Sequence, residues 1–367
     1  MSQKKVSFSK KDKSYMRIAL KLAKAREGLT GTNPSVGCVI VKNDHIISIG
    51  QTSFNGRPHA EANAIKHANE SLVGSKMYVT LEPCNHYGLT SPCTKKIINS
   101  KISEVIYSIE DVDKRVKNKS FKILKSKEIT VKTGLLKKET KKFYMPYFFN
   151  RKKEMPYVTG KIAISKNHLI YSKNQNKITN IHSDKFTHFL RYKNDSIIIS
   201  SKTLNTDNPR LNCRLKGLEK YSPIRIVFDK NLNSKINNYI FKTADKKNTL
   251  IFYNKASKSK IVSLTKYTKL IKSRINKKKA LDIKLIMKKL YKLGLRNVLV
   301  EGGNELTLGF FKERLFNQFY LFKSKKKIST NSDYIKFNCL NLLNKRSKSK
   351  TKLKSYFGND TITHYKF

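Results

Sequence analysis

The chain has 367 residues, which is enough for two domains that each bury a core of their own. Its 78 Lys and Arg against 25 Asp and Glu give a formal net charge of +53. The lysines are scattered along the chain, which is typical of biased composition, so we expect no specific nucleic-acid partner. A role of the positive charge in attracting an anionic substrate or polymer stays open. The chain carries no run of about 18 apolar residues and no apolar leader in Met1–Lys13, so we expect neither a membrane span nor a secretory signal.

The first half of the chain alternates predicted helices and strands. Apolar residues at helical spacing predict a helix over 11–27, and two apolar runs on either side of a turn predict a hairpin of strands 36–41 and 46–50. The further predicted elements are helices at 59–69, 92–99 and 121–129 and strands at 77–81, 105–109 and 129–133. This alternation predicts a three-layer α/β/α domain.

An aromatic stretch that ends in charged residues, 143–156, marks the predicted domain boundary. A free linker rarely carries so many aromatic rings, so we expect them to pack at the end of the first core or between the domains. The predicted domains are 1–147 and 155–367.

The second half also predicts an α/β domain. The predicted strands are 157–164, 196–200, 224–229, 250–253 and 297–300, and the predicted helices are 185–191, 281–293 and 305–315. Two stretches rich in Lys and Ser, 255–279 and 323–352, are predicted to be exposed loops or partly disordered segments.

The five cysteines are too few and too irregularly spaced for a disulfide framework, which favours a reducing cytoplasm. Cys84 and Cys93 instead follow the tripeptide that runs from His59 to Glu61. Two thiolates and an imidazole are ligands that Zn²⁺ prefers, and a catalytic zinc keeps its fourth position for water. This pattern is typical of nucleobase deaminases, and Cys38 is predicted to be an ordinary core residue.

Glu61 is the predicted catalytic residue. It lies two positions after His59 at the start of a predicted helix, so both side chains can face one pocket. There Glu61 can take a proton from water and pass protons to the ring nitrogen and to the departing ammonia. Two alternatives stay open: a closed structural site with His86 as fourth ligand, and a helix-capping His59 beside ordinary thiols.

Three segments carry a resemblance to a known family: 33–39, the tripeptide 59–61, and the run 78–93 with eight residues between its cysteines. They resemble the bifunctional riboflavin biosynthesis enzymes, a pyrimidine deaminase fused to a pyrimidine reductase. The resemblance implies a cytidine-deaminase-like domain with Zn²⁺, a small phosphorylated pyrimidine substrate, and substrate contacts from Asn33 and His86. The family commonly has Arg at the position of Leu89, so a phosphate contact is lost here or supplied by Lys95 or another lysine.

Two segments of the second half, 203–214 and 297–303, resemble the reductase of the same family. They imply a dihydrofolate-reductase-like α/β domain that takes hydride from NADPH. Carried over to this sequence, the cofactor contacts are Ala163, Lys177, Thr203, Asp207 and Gly303, and the substrate contacts are Arg191, Leu211, Arg214 and Glu301.

The leading hypothesis is therefore a bifunctional enzyme. It would deaminate 2,5-diamino-6-(5-phosphoribosylamino)pyrimidin-4(3H)-one to 5-amino-6-(5-phosphoribosylamino)uracil and then reduce the ribosyl to a ribityl group. Because Ser165–His168 and Lys177 depart from the family's reductase motifs, a deaminase with a degenerate reductase half is one alternative. A nucleic-acid deaminase or binding protein is another, and a homo-oligomer stays open.

Overall fold

The computed structural model describes residues 7–173, 177–331 and 333–367. The chain divides into two compact units, Met1–Glu154 and Met155–Phe367. In the described part of the chain, no helix is long and apolar enough to cross a membrane.

The first unit alternates short strands and helices around one sheet. Its strands are β1 (Gly37–Lys42), β2 (His45–Gln51), β3 (Lys76–Val79), β4 (Glu104–Tyr107) and β5 (Thr130–Thr133). Its helices are α1 (Lys10–Ala25), α2 (Ala60–Lys66), α3 (Cys93–Asn99), α4 (Lys119–Lys125), α5 (Lys137–Phe143) and α6 (Met145–Lys153). The sheet order is β2-β1-β3-β4-β5, in which β1 is antiparallel to both neighbours and β3, β4 and β5 are parallel.

Helices cover both faces of this sheet because side chains alternate along its strands. Val39 and Tyr78 point to the face where Met16 of α1 packs. Ile40 and Met77 point to the opposite face, against α2 and α3. The predicted three-layer α/β/α arrangement is confirmed.

Two glycines let helices lie directly on the strands. A Cβ at Gly37 would stand 1.9 Å from the carbonyl oxygen of Ala19, and a Cβ at Gly50 would stand 2.1 Å from that of Ala60. No side chain fits at either position, so the start of α2 is held closely against β2. This contact fixes the segment that carries His59 and Glu61.

Most of the aromatic stretch at 143–156 is helical, since α6 covers Met145–Lys153. Tyr144 is buried in the first core, and its hydroxyl lies 2.7 Å from the Thr80 hydroxyl and donates to the Ser35 carbonyl at 2.9 Å. Pro146 lies in the first turn of α6, where the missing backbone N–H costs the helix no hydrogen bond. The rings therefore pack on the first core.

The second unit is built on a larger sheet. Its strands are β6 (Tyr157–Ile164), β7 (Leu169–Ser172), β8 (Ser196–Ser200), β9 (Ile224–Phe228), β10 (Thr249–Tyr253), β11 (Lys269–Lys272), β12 (Asn297–Val300), β13 (Gln318–Lys323), β14 (Tyr334–Lys336), β15 (Ser349–Lys352) and β16 (Thr361–Lys366). Its helices are α7 (Ile181–Tyr192), α8 (Ser201–Asp207), α9 (Tyr239–Lys242), α10 (Lys258–Thr265), α11 (Ile283–Lys292), α12 (Asn304–Lys312) and α13 (Leu340–Arg346).

Nine of these strands form one mixed sheet in the order β11-β10-β9-β8-β12-β6-β13-β16-β15, while β7 and β14 pair separately. The strands from β11 to β13 are parallel, and β16 and β15 extend the edge in antiparallel fashion. Ile198 and Ile226 lie in one core and Ile197 and Val227 in the other, so both faces are buried. The predicted fold class, two α/β domains, is confirmed.

The prediction of loops or disorder for the two lysine-rich stretches is wrong. The first contains α10 and β11, and the described part of the second contains β14, α13 and β15. Each helix is held by one buried leucine, Leu264 at 4% exposure and Leu343 at 0%. Because the lysines around them can keep their ammonium groups in solvent while the leucine packs, composition alone hides these elements.

Candidate functional site

Three chain segments bring the predicted metal ligands together. His59 occupies the N-cap position of α2, and Cys93 is the first residue of α3. Cys84 lies in the loop that leads from β3 to α3. Because α2 and α3 pack on the same face of the sheet, their N-termini meet beside the carboxyl end of β3.

The ligand atoms of this cluster suit zinc. Nδ1 of His59 lies 3.5 Å from Sγ of Cys84 and 3.4 Å from Sγ of Cys93, and the three atoms lie within 4.8 Å of one another. Among the described residues no further His, Cys, Asp or Glu joins this group, His86 included. One imidazole and two sulfurs that leave a fourth position open are the donor set of a catalytic zinc.

The pKa values of the two cysteine thiols are shifted in opposite directions. A hydrogen bond from the Cys93 thiol, together with His59, lowers the pKa of Cys84 to about 4. The same hydrogen bond and burial raise the pKa of Cys93 above its usual range. Cys84 is therefore the more readily ionised of the two thiols, and a metal ion would require both cysteines as thiolates.

Glu61 lies beside the cluster in the first turn of α2 and is 3% exposed. Burial raises the pKa of Glu61 to about 7, although the neighbouring His59 works in the opposite direction. A carboxyl group with a pKa near neutrality can both accept and return a proton.

These groups open into a cavity of about 460 Å³. Of the predicted residues, its lining contains Asn33, His59, Glu61, Cys84 and His86. The side-chain amide of Asn33 donates to the carbonyl of Gly56 at 3.1 Å, which fixes its orientation. The structure thus brings together every predicted substrate contact of the first unit.

The same lining contains charged residues that the sequence analysis missed: Arg57, Glu82, Asp111, Asp113, Arg115 and Arg151. Burial raises the pKa of Asp111, whereas the hydrogen bonds and charge of Arg115 lower the pKa of Asp113 to about 2. A signal for the aspartates was available, since they follow β4, the parallel neighbour of β3. The carboxyl ends of adjacent parallel strands share one edge, where ligands usually bind.

The second unit has a cavity of about 500 Å³ that collects most of the predicted reductase residues. Its lining contains Ala163, Lys177, Arg191, Thr203, Asp207, Glu301 and Gly303. Leu211 and Arg214 are not part of this lining. Leu211 is 2% exposed in the hydrophobic core, and the guanidinium of Arg214 donates to the side chain of Asn212 at 2.9 Å.

An ion pair anchors this cavity. Arg191 donates through Nε and Nη2 to the two carboxylate oxygens of Glu301, each at 2.9 Å. Burial opposes the charge on Glu301, but Arg191 and Lys161 outweigh burial and hold its pKa below the usual value. Lys161, a residue the sequence analysis missed, also lines the cavity, and its ammonium lies 4.9 Å from the ring centre of Phe322.

The segment Ser165–His168, where the sequence departs from the family motif, forms an ordered turn. The Ser165 hydroxyl donates to Asn167 at 2.8 Å and accepts from the backbone N–H of Leu169 at 2.9 Å. The side-chain amide of Asn167 donates to the carbonyl of Ile328 at 2.8 Å. The departure therefore leaves a well-bonded turn between β6 and β7.

Each unit matches a known protein family. Residues 9–109 match the cytidine and deoxycytidylate deaminase zinc-binding region, and residues 157–324 match the RibD C-terminal domain. The fold and site define a two-domain enzyme, a deaminase of the zinc-binding type followed by a reductase.

Two relatives identify the family more precisely. The chain is 32% identical to riboflavin biosynthesis protein RibD of Aquifex aeolicus, over 86% of this chain and 87% of the relative. The first unit is 44% identical to a diaminohydroxyphosphoribosylamino-pyrimidine deaminase of Buchnera aphidicola, over 40% of this chain and 99% of the relative. The chain belongs to the RibD family of riboflavin biosynthesis proteins.

Solved structures agree with this assignment. A deaminase/reductase from Thermotoga maritima superposes with a TM-score of 0.78 at 26% identity, covering 97% of this chain and 98% of its own. Acinetobacter baumannii RibD superposes with a TM-score of 0.83 at 24% identity, covering 97% and 99% of the two chains. The predicted resemblance and the predicted pairing of deaminase with reductase are confirmed.

Proposed function

We propose that the first unit deaminates 2,5-diamino-6-(5-phosphoribosylamino)pyrimidin-4(3H)-one and that the second reduces the ribosyl group of the product to ribityl with NADPH. The observation that carries the proposal is the convergence of His59, Cys84 and Cys93 beside a buried Glu61. The names of the Buchnera and Thermotoga relatives indicate the substrate class.

In the proposed deamination, the metal and Glu61 have different roles. His59, Cys84 and Cys93 would hold a zinc ion, which when bound would activate a water molecule for attack on the ring. Glu61 takes up the proton of the attacking water on its carboxylate and delivers protons to the ring nitrogen and to the departing amine. Its pKa of about 7 supports both halves of this transfer.

Asn33 and His86 complete the proposed substrate contacts of the first unit. Both line the cavity with Glu61, and Asn33 is held by its bond to Gly56. An amide so fixed can hydrogen-bond the polar edge of a pyrimidine ring and orient its amino-bearing carbon.

The second cavity fits a phosphate-bearing dinucleotide. Gly303 is the N-cap residue of α12, and a Cβ built on Gly303 would meet only the Thr203 hydroxyl, at 4.0 Å. The N-terminus of α12 is therefore accessible to a phosphate group. Ala163, Lys177, Thr203, Asp207 and Gly303 are the proposed NADPH contacts.

The pair of Arg191 and Glu301 is the proposed contact with the ribosyl phosphate substrate, together with Leu211 and Arg214. For Leu211 and Arg214, which lie outside the cavity lining, the support is the sequence resemblance alone. An open cavity lined by paired charges favours a working reductase over a degenerate one.

Purified protein with one equivalent of zinc tests both steps. We expect ammonia release from the diaminopyrimidinone phosphate and, after that step only, oxidation of NADPH. Absence of ammonia release by the zinc-loaded protein would overturn the deaminase proposal. Ammonia release without NADPH oxidation, combined with no NADPH binding by calorimetry, would favour the degenerate reductase.

A further inference from the structure

Three arginines line the deaminase cavity, and two of them, Arg115 and Arg151, share the carboxylate of Asp113. Arg115 donates to Asp113 through Nε at 3.0 Å and through Nη2 at 2.7 Å. The guanidinium of Arg151 lies 3.9 Å from the same carboxylate, and it also covers the ring of Tyr147. These contacts commit both cations to groups of the protein.

The third arginine, Arg57, has no such partner. Its Nη1 donates to the hydroxyl of Thr90 at 2.6 Å. Within residues 7–173, 177–331 and 333–367, no carboxylate forms an ion pair with it. Arg57 is half-buried and lines the cavity, so an uncompensated guanidinium faces the substrate site.

Arg57 lies against the loop between the two metal-binding cysteines. A Cβ built on Gly88 would stand 3.3 Å from Nη2 of Arg57. Leu89, the next residue, is 89% exposed, so this side of the cavity opens to solvent. A ligand whose reacting ring lies at the metal cluster can therefore extend a polar group past Arg57.

Other candidate cations fit this role less well. Lys95 does not line the cavity, and its ammonium lies 3.3 Å from the hydroxyl of Tyr87. His86 does line the cavity, and its Nδ1 is buried without a hydrogen-bond partner in the described part of the chain. This side of the cavity thus combines a guanidinium that forms no ion pair among the described residues with the imidazole of His86.

We propose that Arg57 binds the phosphate group of the deaminase substrate, with Thr90 holding the guanidinium in place. A guanidinium presents two parallel N–H donors that match phosphate oxygens, and its charge complements the phosphate. The proposal rests on the function proposed above, because it assigns the phosphate of that substrate to a named residue.

The decisive comparison uses two substrates and three variants. For Arg57→Gln we expect the KM of the phosphorylated substrate to rise about 10- to 100-fold, the size typical of a lost charge-assisted hydrogen bond. The same variant should act like wild type on the dephosphorylated nucleoside, and its zinc content should be unchanged. Arg57→Lys should recover part of the loss. The matched control is Arg17→Gln, because Arg17 is exposed on α1 and does not line the cavity.

An equal KM for wild type and Arg57→Gln, or an equal loss with both substrates, would overturn the proposal. Binding of inorganic phosphate, followed by ³¹P line broadening in the presence of zinc, tests Arg57 without turnover. If wild type releases no ammonia, the proposed function fails while this binding test still decides the role of Arg57. Phosphate binding that Arg57→Gln leaves unchanged would refute that role as well.

Discussion

The deaminase and reductase cavities have similar volumes but are built on different principles. In the first unit, three side chains within residues 59–93 converge until their ligand atoms lie within 4.8 Å of one another. In the second unit, the central contact joins Arg191 to Glu301, which are 110 positions apart. The lining also contains the ion pairs of Lys177 with Asp184 and of Lys202 with Glu305. The first cavity is organised around one cluster of three side chains. The second is organised around several ion pairs spread along its lining.

This difference decides how each site should respond to substitution. Loss of one proposed ligand would remove the metal ion and with it the chemistry that the ion would supply. Loss of one partner in a charge pair instead leaves the other charge buried, so the cost falls on folding as well as on binding. The following variants test whether the two units differ in this way.

The largest expected effect is that of Cys84→Ser. We expect zinc content, measured by metal analysis, to fall from one equivalent towards zero and ammonia release to fall below detection, because the donor set loses a thiolate. NADPH binding by the second unit should persist. Cys339→Ser, which removes a thiol from the second unit, is the control and should keep its zinc. A Cys84→Ser protein with full zinc content would remove Cys84 from the ligand set.

Glu61→Gln should separate metal binding from proton transfer. The amide keeps the size of the side chain but cannot carry a proton, so we expect deamination to slow by about 10²- to 10⁴-fold. Zinc content should stay at the wild-type level, in contrast to Cys84→Ser. A loss of zinc in Glu61→Gln would mean that the carboxylate supports the metal rather than moving protons.

In the second unit, Glu301→Gln should act mainly on stability. Glu301 and Arg191 are 13% and 10% exposed at their side chains, so the variant leaves a buried guanidinium without its counter-ion. We expect a loss of about 3 kcal/mol in the free energy of unfolding, measured by denaturant titration of the second unit's transition.

The matched control breaks an exposed pair. Lys202 and Glu305 lie 3.0 Å apart with side chains 69% and 82% exposed, and Glu305→Gln should cost less than about 1 kcal/mol. Equal effects of Glu301→Gln and Glu305→Gln would contradict the contrast between the two cavities.

The same contrast explains what could be predicted from sequence. The convergence of His59, Cys84 and Cys93 could be expected because zinc restricts both the type of ligand and the spacing. The electrostatic interaction of Lys161 with Glu301 was missed because it depends on strand register. Gly160 pairs with Val300 across β6 and β12, which brings the next residues of both strands together. Strands this far apart in sequence give no local sign of their pairing.

Elements with few buried positions were missed for a different reason. Helix α6 begins with Met145 and Pro146 after an aromatic run, a pattern that indicates a domain boundary but does not predict a helix. Helix α10 and strand β11 lie in a lysine-rich stretch where Leu264 is the buried helix position. In such segments tertiary packing, rather than the local pattern, determines the structure.

The smallest expected effect is a pH dependence of stability in the second unit, which arises from the positive charges around His188. Burial, followed by the charges of Arg191 and Arg214, lowers the pKa of His188 to about 4. A histidine in the unfolded chain has a pKa of about 6.5. Between that pH and about 4, His188 is therefore protonated in the unfolded state but mostly neutral in the folded state. The stability that depends on neutral His188 is therefore complete above pH 6.5 and is lost as pH falls towards 4.

His188→Gln should remove this dependence. We expect the variant to flatten the fall in unfolding free energy between pH 6.5 and 4 by at least about 1 kcal/mol, the equivalent of a shift of about one pKa unit. The control His182→Gln removes an exposed histidine of the same helix and should leave the slope of the wild type. If the curves of wild type and His188→Gln stay parallel down to pH 4, the neighbouring arginines do not suppress protonation of His188. The charges of the second cavity would then be less strongly coupled than their spacing indicates.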